Sequence, residues 1–191
     1  MDQNTSEVNP NSLPSHLGGH LNKTHNDRGT LTFLINEYKI KSFLDIGCGP
    51  GGMVAIANMR GLDALGIDGD WLVEKEREAK ILIHDFTTGP APIYSGFDLG
   101  WSVEFLEHVE EKYQDFYMQA FAKCKYVLAT AAGPGHAGHH HVNCQTQEYW
   151  EKVFLNYGFA IDSVETERIR VISSMMKGFM KMSGMFYRRV V

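Results

Sequence analysis

The glycine-rich stretch LDIGCGPGG, which begins at Leu44, constrains the fold more than any other part of the sequence. It follows a short apolar run typical of a strand and precedes a segment of helical character at 53–60. Gly47 lets the chain turn sharply off the strand, and Gly49 and Gly51 let the backbone approach a ligand without obstruction by side chains. A glycine turn between a strand and a helix predicts a site for a nucleotide-like ligand.

Short apolar runs and helical segments alternate along the chain, which indicates parallel β–α–β units. The predicted strands are 41–46, 64–67, 81–83, 97–101 and 126–131. The predicted helices are 53–60, 70–79, 103–122 and 147–157, preceded by a first helix that Asp27 caps. Two further β-rich stretches, 159–173 and 183–191, are joined by SMMKGFMKM, too short for a crossover helix, so we predict an antiparallel terminal hairpin. The predicted fold is α/β, an open and mostly parallel sheet with helices on both faces.

Length and composition predict one domain. The 191 residues, 43% of them apolar, suffice for one core over 27–191, while the polar residues 1–26 form an N-terminal arm. The net charge of −5 argues against bulk binding to nucleic acid. Three cysteines are too few and too scattered for a disulfide framework or a CxxC zinc site. Without an apolar run of about 18–20 residues or a signal sequence, we expect a soluble, cytoplasmic protein and no membrane partner.

The residues around the glycine turn narrow the class of ligand. No Lys-Ser or Lys-Thr follows the glycines, which excludes a P-loop. Gly52 stands three residues after Gly49, the position of the third glycine in the GxGxxG pattern, so the spacing alone does not exclude a dinucleotide such as NAD. Asp45, two residues before Gly47, suits a cation or an amine better than a pyrophosphate. Asp68 ends the next strand, where a carboxylate typically accepts ribose hydroxyls. Asp85, after the third strand, can accept a hydrogen bond from the exocyclic amine of a base, and the neighbouring Phe86 can cover the face of that base. Adenosine with a cationic amino-acid tail is a ligand that suits this set of residues.

Four stretches in this order resemble the motifs of class I S-adenosylmethionine-dependent methyltransferases, in their small-molecule branch: FLDIGCGPG, ALGIDGD, ILIHDF and FDLGWSVEFLEHV. The resemblance covers roughly residues 30–191. It implies a Rossmann-like sheet of seven strands in the order 3-2-1-4-5-7-6 with the last strand antiparallel, and S-adenosyl-L-methionine as the cofactor.

The resemblance also implies a set of cofactor-binding residues. Asp45 and Gly47 would line the methionine moiety, Asp68 would hold the ribose, and Asp85 with Phe86 would meet the adenine. Trp101 either packs near the sulfonium or covers the core, and both interpretations are open at this stage. The full predicted set is Asp45, Gly47, Cys48, Gly49, Gly51, Asp68, Gly69, His84, Asp85, Phe86 and Trp101.

Glu104, Glu107 and His108 form an E-x-x-E-H pattern. On a helix these positions share one face, which would give half of a site for a divalent metal. The EFLEHV run is similar to that of ubiquinone-biosynthesis O-methyltransferases, where such a trio is associated with metal. Related methyltransferases use the same run only to anchor the helix against the sheet, so metal binding and anchoring are both open.

Seven of the nine histidines lie in two short stretches, 16–25 and 136–141. The second stretch follows the fifth strand, at the sheet edge where open α/β folds bind ligands. By resemblance, the N-terminal arm folds over the active site as a lid, which would bring both stretches to one site. Neutral imidazole is a suitable base near pH 7, so we predict His140 or His141 as the catalytic base, with His25 as the second choice.

The predicted function is transfer of a methyl group to an O (or N) nucleophile of a small-molecule acceptor, such as a sugar or a phenolic metabolite. One alternative is a nucleic-acid or protein methyltransferase. Against base N-methylation, DLGW stands where an Asn/Asp-Pro-Pro-Tyr motif is expected, and the basic residues Lys177, Lys181, Arg188 and Arg189 suit a solvated hairpin as well as a binding patch. The other alternative is a module that binds the cofactor without catalysis.

Overall fold

A computed structural model describes residues 12–190, which contain a seven-stranded sheet in the order β3-β2-β1-β4-β5-β7-β6. β7 runs antiparallel to both of its neighbours, and the other pairs are parallel, so the predicted order and the antiparallel last strand are confirmed. The strands are β1 (Ser42–Ile46), β2 (Asp63–Asp68), β3 (Ile81–Ile83), β4 (Phe97–Ser102), β5 (Cys124–Ala129), β6 (Phe159–Ile161) and β7 (Met185–Arg189).

Helices cover both faces of the sheet, as predicted. They are α1 (Arg28–Tyr38), α2 (Gly52–Met59), α3 (Gln114–Phe121), α4 (Gln147–Asn156), α5 (Ser163–Ile172) and α6 (Phe179–Ser183). The aromatic residues of α3 and α4, among them Phe121 and Phe154, pack in one core cluster. Leu34 of α1, Val54 of α2 and Ile169 of α5 belong to a second cluster. None of the helices described between residues 12 and 190 has the length and apolar character needed to cross a membrane.

Asp27 caps α1, as the sequence predicts. Its fully buried carboxylate accepts hydrogen bonds from Thr30 N (3.0 Å) and Thr30 Oγ1 (2.9 Å). The same carboxylate also accepts from Ser173 Oγ and from Ser174 N, 2.9 Å away. Asp27 therefore joins the start of α1 to the residues that follow α5.

The helix predicted at 70–79 is wrong, because this segment consists of turns and irregular chain. Asp70 accepts a hydrogen bond from Leu72 N (2.7 Å), and Glu76 N donates to Pro50 O (2.8 Å). Trp71 and Leu72 are exposed, so the segment has no continuous apolar face to bury as a helix.

The single helix predicted at 103–122 is also wrong over its first half. Two 3₁₀ turns, Leu106–His108 and Glu111–Tyr113, precede α3. Glu104 has a left-handed backbone (φ 53°), which no α-helix accommodates. Its backbone N–H donates to Thr130 Oγ1 (2.9 Å), so a contact with the chain beyond β5 replaces the first helical turn.

The tail departs from the predicted hairpin. Of the β-rich stretch 159–173, only β6 is a strand, and residues 163–172 form α5. Asp162 caps this helix by accepting a hydrogen bond from Glu165 N (3.0 Å), and Thr166 and Ile169 bury one face at helical spacing. The antiparallel pairing of β6 with β7 is confirmed, but α5 and α6 connect the two strands.

Candidate functional site

A cavity of about 630 Å³, here called the main cavity, lies at the carboxyl ends of β1 to β4. Most of the residues predicted from the sequence line it. They are His25, Asp45, Gly47, Cys48, Gly49, Asp68, Gly69, His84, Asp85, Phe86, Trp101, Glu104, His108, His140 and His141. Gly51 and Glu107 do not line it.

The glycine turn forms the floor of the main cavity. Gly47 N and Cys48 N both donate to Ile67 O, at 2.9 and 3.1 Å, and these bonds fasten the turn to β2. Gly47 has φ 76°, and a Cβ there would collide with the ring of Phe105. Gly51 instead caps α2 with φ 82° and packs against Ala79, so its position serves the turn rather than the cavity wall.

Asp45 is the penultimate residue of β1, Asp68 is the last residue of β2, and both line the main cavity. Asp45 is only 3% exposed, and no residue between 12 and 190 donates a hydrogen bond to its carboxylate. Burial and then the charge of Asp68 raise the pKa of Asp45 well above its usual range. Asp68 accepts hydrogen bonds from Gly49 N (2.7 Å) and Asp70 N (2.9 Å). These bonds lower the pKa of Asp68, but burial outweighs them and raises it.

Asp85 is the third carboxylate of the main cavity. It accepts hydrogen bonds from Thr87 N (2.8 Å) and pairs with His16 Nε2 (2.9 Å). Burial alone would raise the pKa of Asp85, but the bonds from Thr87 and His16 lower it below its usual value. Phe86 is buried beside Asp85, with the ring of His84 at its edge, 5.2 Å away between ring centroids.

The sequence left two interpretations of Trp101 open, a place beside the cofactor and a place in the core, and the side chain contacts both regions. It lines the main cavity and also packs on the ring of Phe43, 5.9 Å away between centroids. Its buried Nε1 has no hydrogen-bond partner among the described residues.

Most of residues 15–25 of the N-terminal arm line the main cavity. Residues 1–11 of the predicted arm lie outside the described residues. His20 Nε2 lies 3.1 Å from Asp70 Oδ2, and Leu17 O pairs with His139 Nε2 at 3.1 Å. His16 and His20 are not among the site residues predicted from the sequence, and their only signal there is the grouping of the histidines.

The E-x-x-E-H trio does not form one helical face, because residues 104–108 are not α-helical. The metal-ligating atoms that lie within 4.8 Å of one another belong to Glu107, His108 and His141. Glu107 is completely buried, and its Oε1 accepts from Ala132 N (3.1 Å), whereas Oε2 has no donor among the described residues. Burial and then the charge of Glu104 raise the pKa of Glu107 to about 8.

The two histidines of this group have matching orientations. His108 Nδ1 pairs with His139 O (2.7 Å), and His141 Nδ1 pairs with His136 O (2.9 Å). A carbonyl only accepts, so each Nδ1 carries a proton and each neutral ring keeps its lone pair on Nε2. Burial lowers the pKa of His108 to about 4, so its ring is neutral at pH 7. This is the arrangement in which histidine binds a metal.

The three predicted bases lie around the same cavity. His140 has a left-handed backbone (φ 46°), and burial and then His16 lower its pKa. Burial and then the charges of two lysines lower the pKa of His25, whose ring contacts the edge of Phe179 at 4.9 Å. Both imidazoles are therefore proton acceptors at pH 7.

Comparison with known proteins reveals the fold but no close relative. No protein-family model and no curated protein sequence matches the chain. A TehB-like S-adenosylmethionine-dependent methyltransferase from Corynebacterium glutamicum has a TM-score of 0.61 at 16% identity, over 86% of this chain and 89% of that one. The 1,6-didemethyltoxoflavin-N1-methyltransferase of Burkholderia thailandensis, with S-adenosylhomocysteine bound, has a TM-score of 0.60 at 12% identity, over 86% and 78%.

A third similar structure is the magnesium protoporphyrin IX methyltransferase of Synechocystis PCC 6803, with bound S-adenosylmethionine. It has a TM-score of 0.58 at 13% identity, over 83% of this chain and 76% of that one. The chain therefore has the class I methyltransferase fold, as the sequence motifs imply.

Proposed function

We propose that the chain is an S-adenosylmethionine-dependent methyltransferase that acts on a hydroxyl group of a small molecule. The observation that carries the proposal is the placement of Asp45, Asp68 and Asp85. These three carboxylates end or follow three adjacent strands and face one cavity beside the glycine turn. Fold neighbours solved with S-adenosylmethionine or S-adenosylhomocysteine support the same cofactor.

Each carboxylate suits one part of this cofactor. Asp45 has no hydrogen-bond partner among residues 12–190, so a cation in the cavity would stabilise its charged form. Asp68 can accept the ribose hydroxyls, and Asp85 can accept the adenine amine. Phe86 offers an aromatic surface beside Asp85.

The transfer itself is an in-line displacement. The acceptor oxygen forms a bond to the methyl carbon as the carbon–sulfur bond breaks, the sulfonium becomes a neutral thioether, and the hydroxyl proton passes to a base. His140 and His25 are neutral imidazoles on the cavity wall and can take this proton. The protein contributes mainly by holding the two reactants in line.

Glu107, His108 and His141 fit a divalent cation. Glu107 Oε2 is buried without a donor among the described residues, and both imidazoles keep Nε2 free. One carboxylate and two imidazoles suit a first-row transition metal such as Mn²⁺. When bound, such a cation would lower the pKa of an acceptor hydroxyl. His141 would then be a ligand, which leaves His140 and His25 as bases.

Binding of Mn²⁺, followed by electron paramagnetic resonance, tests this part of the proposal. We expect H108A and H141A each to weaken binding by about tenfold or more, since each removes one of three ligands. H136A is the matched control, because the side chain of exposed His136 is outside the metal-ligating group. Equal binding by all four proteins would exclude a cation at this site.

The N-terminal arm, in this proposal, is a lid over the bound cofactor. His16 pairs with Asp85, and His20 lies against Asp70, so the arm contacts the two acidic segments that border the cofactor site. The contact between Leu17 O and the His139 ring joins the arm to the histidine-containing stretch at 136–141. An arm in this position shields the reaction from water and must open for cofactor exchange.

A nucleic-acid acceptor is the second candidate, since one fold neighbour is named as an RNA methyltransferase. The charge of the site favours a small molecule, because Lys23 is the one lysine or arginine among the described residues that line the main cavity. Two members of the basic group noted in the sequence also have partners within the fold. Arg188 pairs with Asp162, and Arg189 donates to Cys124 O (3.0 Å).

Two measurements test the proposal. Calorimetry with S-adenosylhomocysteine tests cofactor binding, and transfer of a labelled methyl group from S-adenosylmethionine tests the acceptor. We expect labelling of phenols or sugars and none of RNA, DNA or protein. If only RNA, DNA or protein is labelled, the acceptor is a polymer and the small-molecule class is wrong. If S-adenosylhomocysteine binds but no methyl group is transferred, the chain is a non-catalytic cofactor-binding module. If S-adenosylhomocysteine does not bind, the proposal is overturned.

A further inference from the structure

A second cavity of about 360 Å³ lies beside the main one. Its walls come from residues 131–134 after β5, from the start of α4, from α6 and from Met185, the first residue of β7. Met185 pairs with Ala129, the last residue of β5, so the second cavity lies at the same edge of the sheet as the main cavity. Open α/β sheets bind ligands at this edge.

The two cavities share part of their walls. Glu104 and Phe179 line both of them. A molecule in the second cavity would therefore extend past Glu104 toward the space that the proposed cofactor occupies. This is the position that a methyl acceptor needs for an in-line reaction.

The walls of the second cavity are mainly apolar by area and carry little charge. Besides Glu104, the polar residues that line it are His136, Gln145, Thr146, Gln147 and Ser183. None of the described residues that line it is lysine or arginine, and Glu104 is its one carboxylate. Met182 is largely exposed, and its flexible side chain can adapt to the shape of a ligand. The apolar walls are Ala131, Ala132, Pro134, Trp150, Met182 and Met185. Such walls suit a ring system.

Glu104 is held at the boundary between the cavities by Thr130. Thr130 Oγ1 donates to Glu104 Oε1 (2.8 Å) and accepts from Glu104 N (2.9 Å). These two bonds fix the left-handed backbone of Glu104, a conformation that is strained for a residue other than glycine. A carboxylate held in this way can accept a hydrogen bond from a hydroxyl that enters from either side.

We propose that the second cavity binds the ring of the methyl acceptor, an uncharged aromatic compound whose hydroxyl hydrogen-bonds to Glu104. This inference rests on the proposed function and adds to it the chemical class of the acceptor and its binding site. The ring would lie among the apolar walls, with the hydroxyl at the boundary to the main cavity. The absence of lysine and arginine from the described walls argues against nucleotides and other phosphate-bearing acceptors.

Nuclear magnetic resonance of the protein with ¹³C-labelled methionine methyl groups, titrated with 2-naphthol, tests the proposal. Met182 and Met185 line the second cavity, Met53 lines the main cavity, and Met118 is fully buried in the core as an internal reference. We expect 2-naphthol to shift the signals of Met182 and Met185 and to leave Met118 unchanged. S-adenosylhomocysteine should shift Met53.

Filling the second cavity provides the matched comparison. A Cβ at Gly133 would lie 3.8 Å from His136 Nδ1, an ordinary contact, so the position accepts a side chain and Gly133→Phe is designed to place a ring in the second cavity. We expect it to weaken 2-naphthol binding by about tenfold or more. Gly133→Leu is a smaller filling variant that should act in the same direction. Leu155→Phe adds bulk on the exposed side of α4 and should bind like the unmodified protein.

The outcomes separate the two proposals. If 2-naphthol shifts Met53 without Met182 and Met185, or shifts no methyl group, the second cavity is not the acceptor site. If a short single-stranded RNA shifts Met182 and Met185 in place of 2-naphthol, the acceptor class is wrong. If S-adenosylhomocysteine fails to shift Met53 while 2-naphthol shifts Met182 and Met185, the cofactor assignment fails and the apolar site stands.

Discussion

Replacement of Asp45 by asparagine tests the electrostatic basis of cofactor binding. Asp45 is buried at the end of β1, accepts no hydrogen bond from the described residues and faces the main cavity. Asparagine keeps the size of the side chain and removes the charge. We expect the variant to bind S-adenosylmethionine more weakly without losing stability in the unliganded state.

The magnitude follows from two opposing effects. Two opposite unit charges 4 Å apart attract by about 4 kcal/mol at an effective dielectric constant of about 20. Because burial raises the pKa of Asp45, the carboxyl group must lose its proton when the cation binds. This deprotonation reduces the attraction by about 1.4 kcal/mol for each unit by which the pKa exceeds the working pH. The net loss in Asp45→Asn is therefore about 1–3 kcal/mol, which corresponds to about 5- to 150-fold in affinity.

The sign of the pH dependence follows from the same raised pKa. A cationic ligand favours the charged form of Asp45, so binding releases a proton and the affinity of the unmodified protein rises with pH up to that pKa. In the unliganded protein the folded state holds the proton longer than the unfolded state, so stability falls as pH rises above about 3.8, the usual pKa of aspartate. Asp45→Asn should weaken both trends, and the raised pKa of Asp68 should keep the remainder.

Calorimetry in two buffers of different ionisation enthalpy measures the affinity and the proton release. Asp98→Asn is the matched control, because Asp98 is the second residue of β4, at the opposite edge of the sheet, and does not line the main cavity. Burial opposes the ionisation of Asp98, but hydrogen bonds from Lys125 Nζ and Lys41 N outweigh it and lower its pKa. Asp98→Asn should therefore lower stability near pH 7 and leave the affinity unchanged. Equal affinity and equal proton release in Asp45→Asn and the unmodified protein would refute the reasoning.

Further variants test the other assignments. Asp68→Ala should weaken S-adenosylhomocysteine binding by about 1–3 kcal/mol in calorimetry, and unchanged affinity would refute the ribose assignment. Joint replacement of His140 and His141 by alanine should reduce turnover while leaving cofactor affinity intact. Normal turnover would show that the histidines of the stretch 136–141 have no catalytic role. Asp27→Ala should lower the free energy of unfolding by about 2–4 kcal/mol in urea, since a cap and several buried hydrogen bonds are lost. His16→Ala should speed the release of S-adenosylhomocysteine in stopped-flow fluorescence, and an unchanged rate would contradict a role of the arm as a lid.

The sequence predicted the sheet well because its strands carry local signals. β1, β2 and β4 are apolar runs bounded by glycine or charge, and the glycine turn after β1 sets the edge at which the carboxylates meet. Since parallel strands end at one edge, Asp45 and Asp68 could be placed together without knowledge of tertiary contacts. The strand order came from the family resemblance, and the structure confirms it.

The wrong predictions concern segments whose structure depends on distant contacts. Residues 103–108 have helical spacing, yet Thr130 and Ala132 beyond β5 bind the two glutamates and prevent a helix. Residues 163–172 are rich in β-branched side chains, but the cap at Asp162 and the burial of Ile169 favour a helix. Local propensity cannot decide between states when the deciding partner lies far away in the sequence.

The same distinction separates the two halves of the site. The carboxylates proposed for the cofactor lie at strand ends, where the sheet fixes their positions. The second cavity is built mainly from the loop at 131–134, from α6 and from the start of α4, which connect strands, and Met185 of β7 is the one described wall residue that belongs to the sheet. Substitutions such as Gly133→Phe can therefore change the walls of the acceptor site without moving a cofactor carboxylate. If the proposals hold, substitutions in these connecting segments should change acceptor preference without changing cofactor affinity. Glu104 lines both cavities, so its replacement is the exception that should affect both properties.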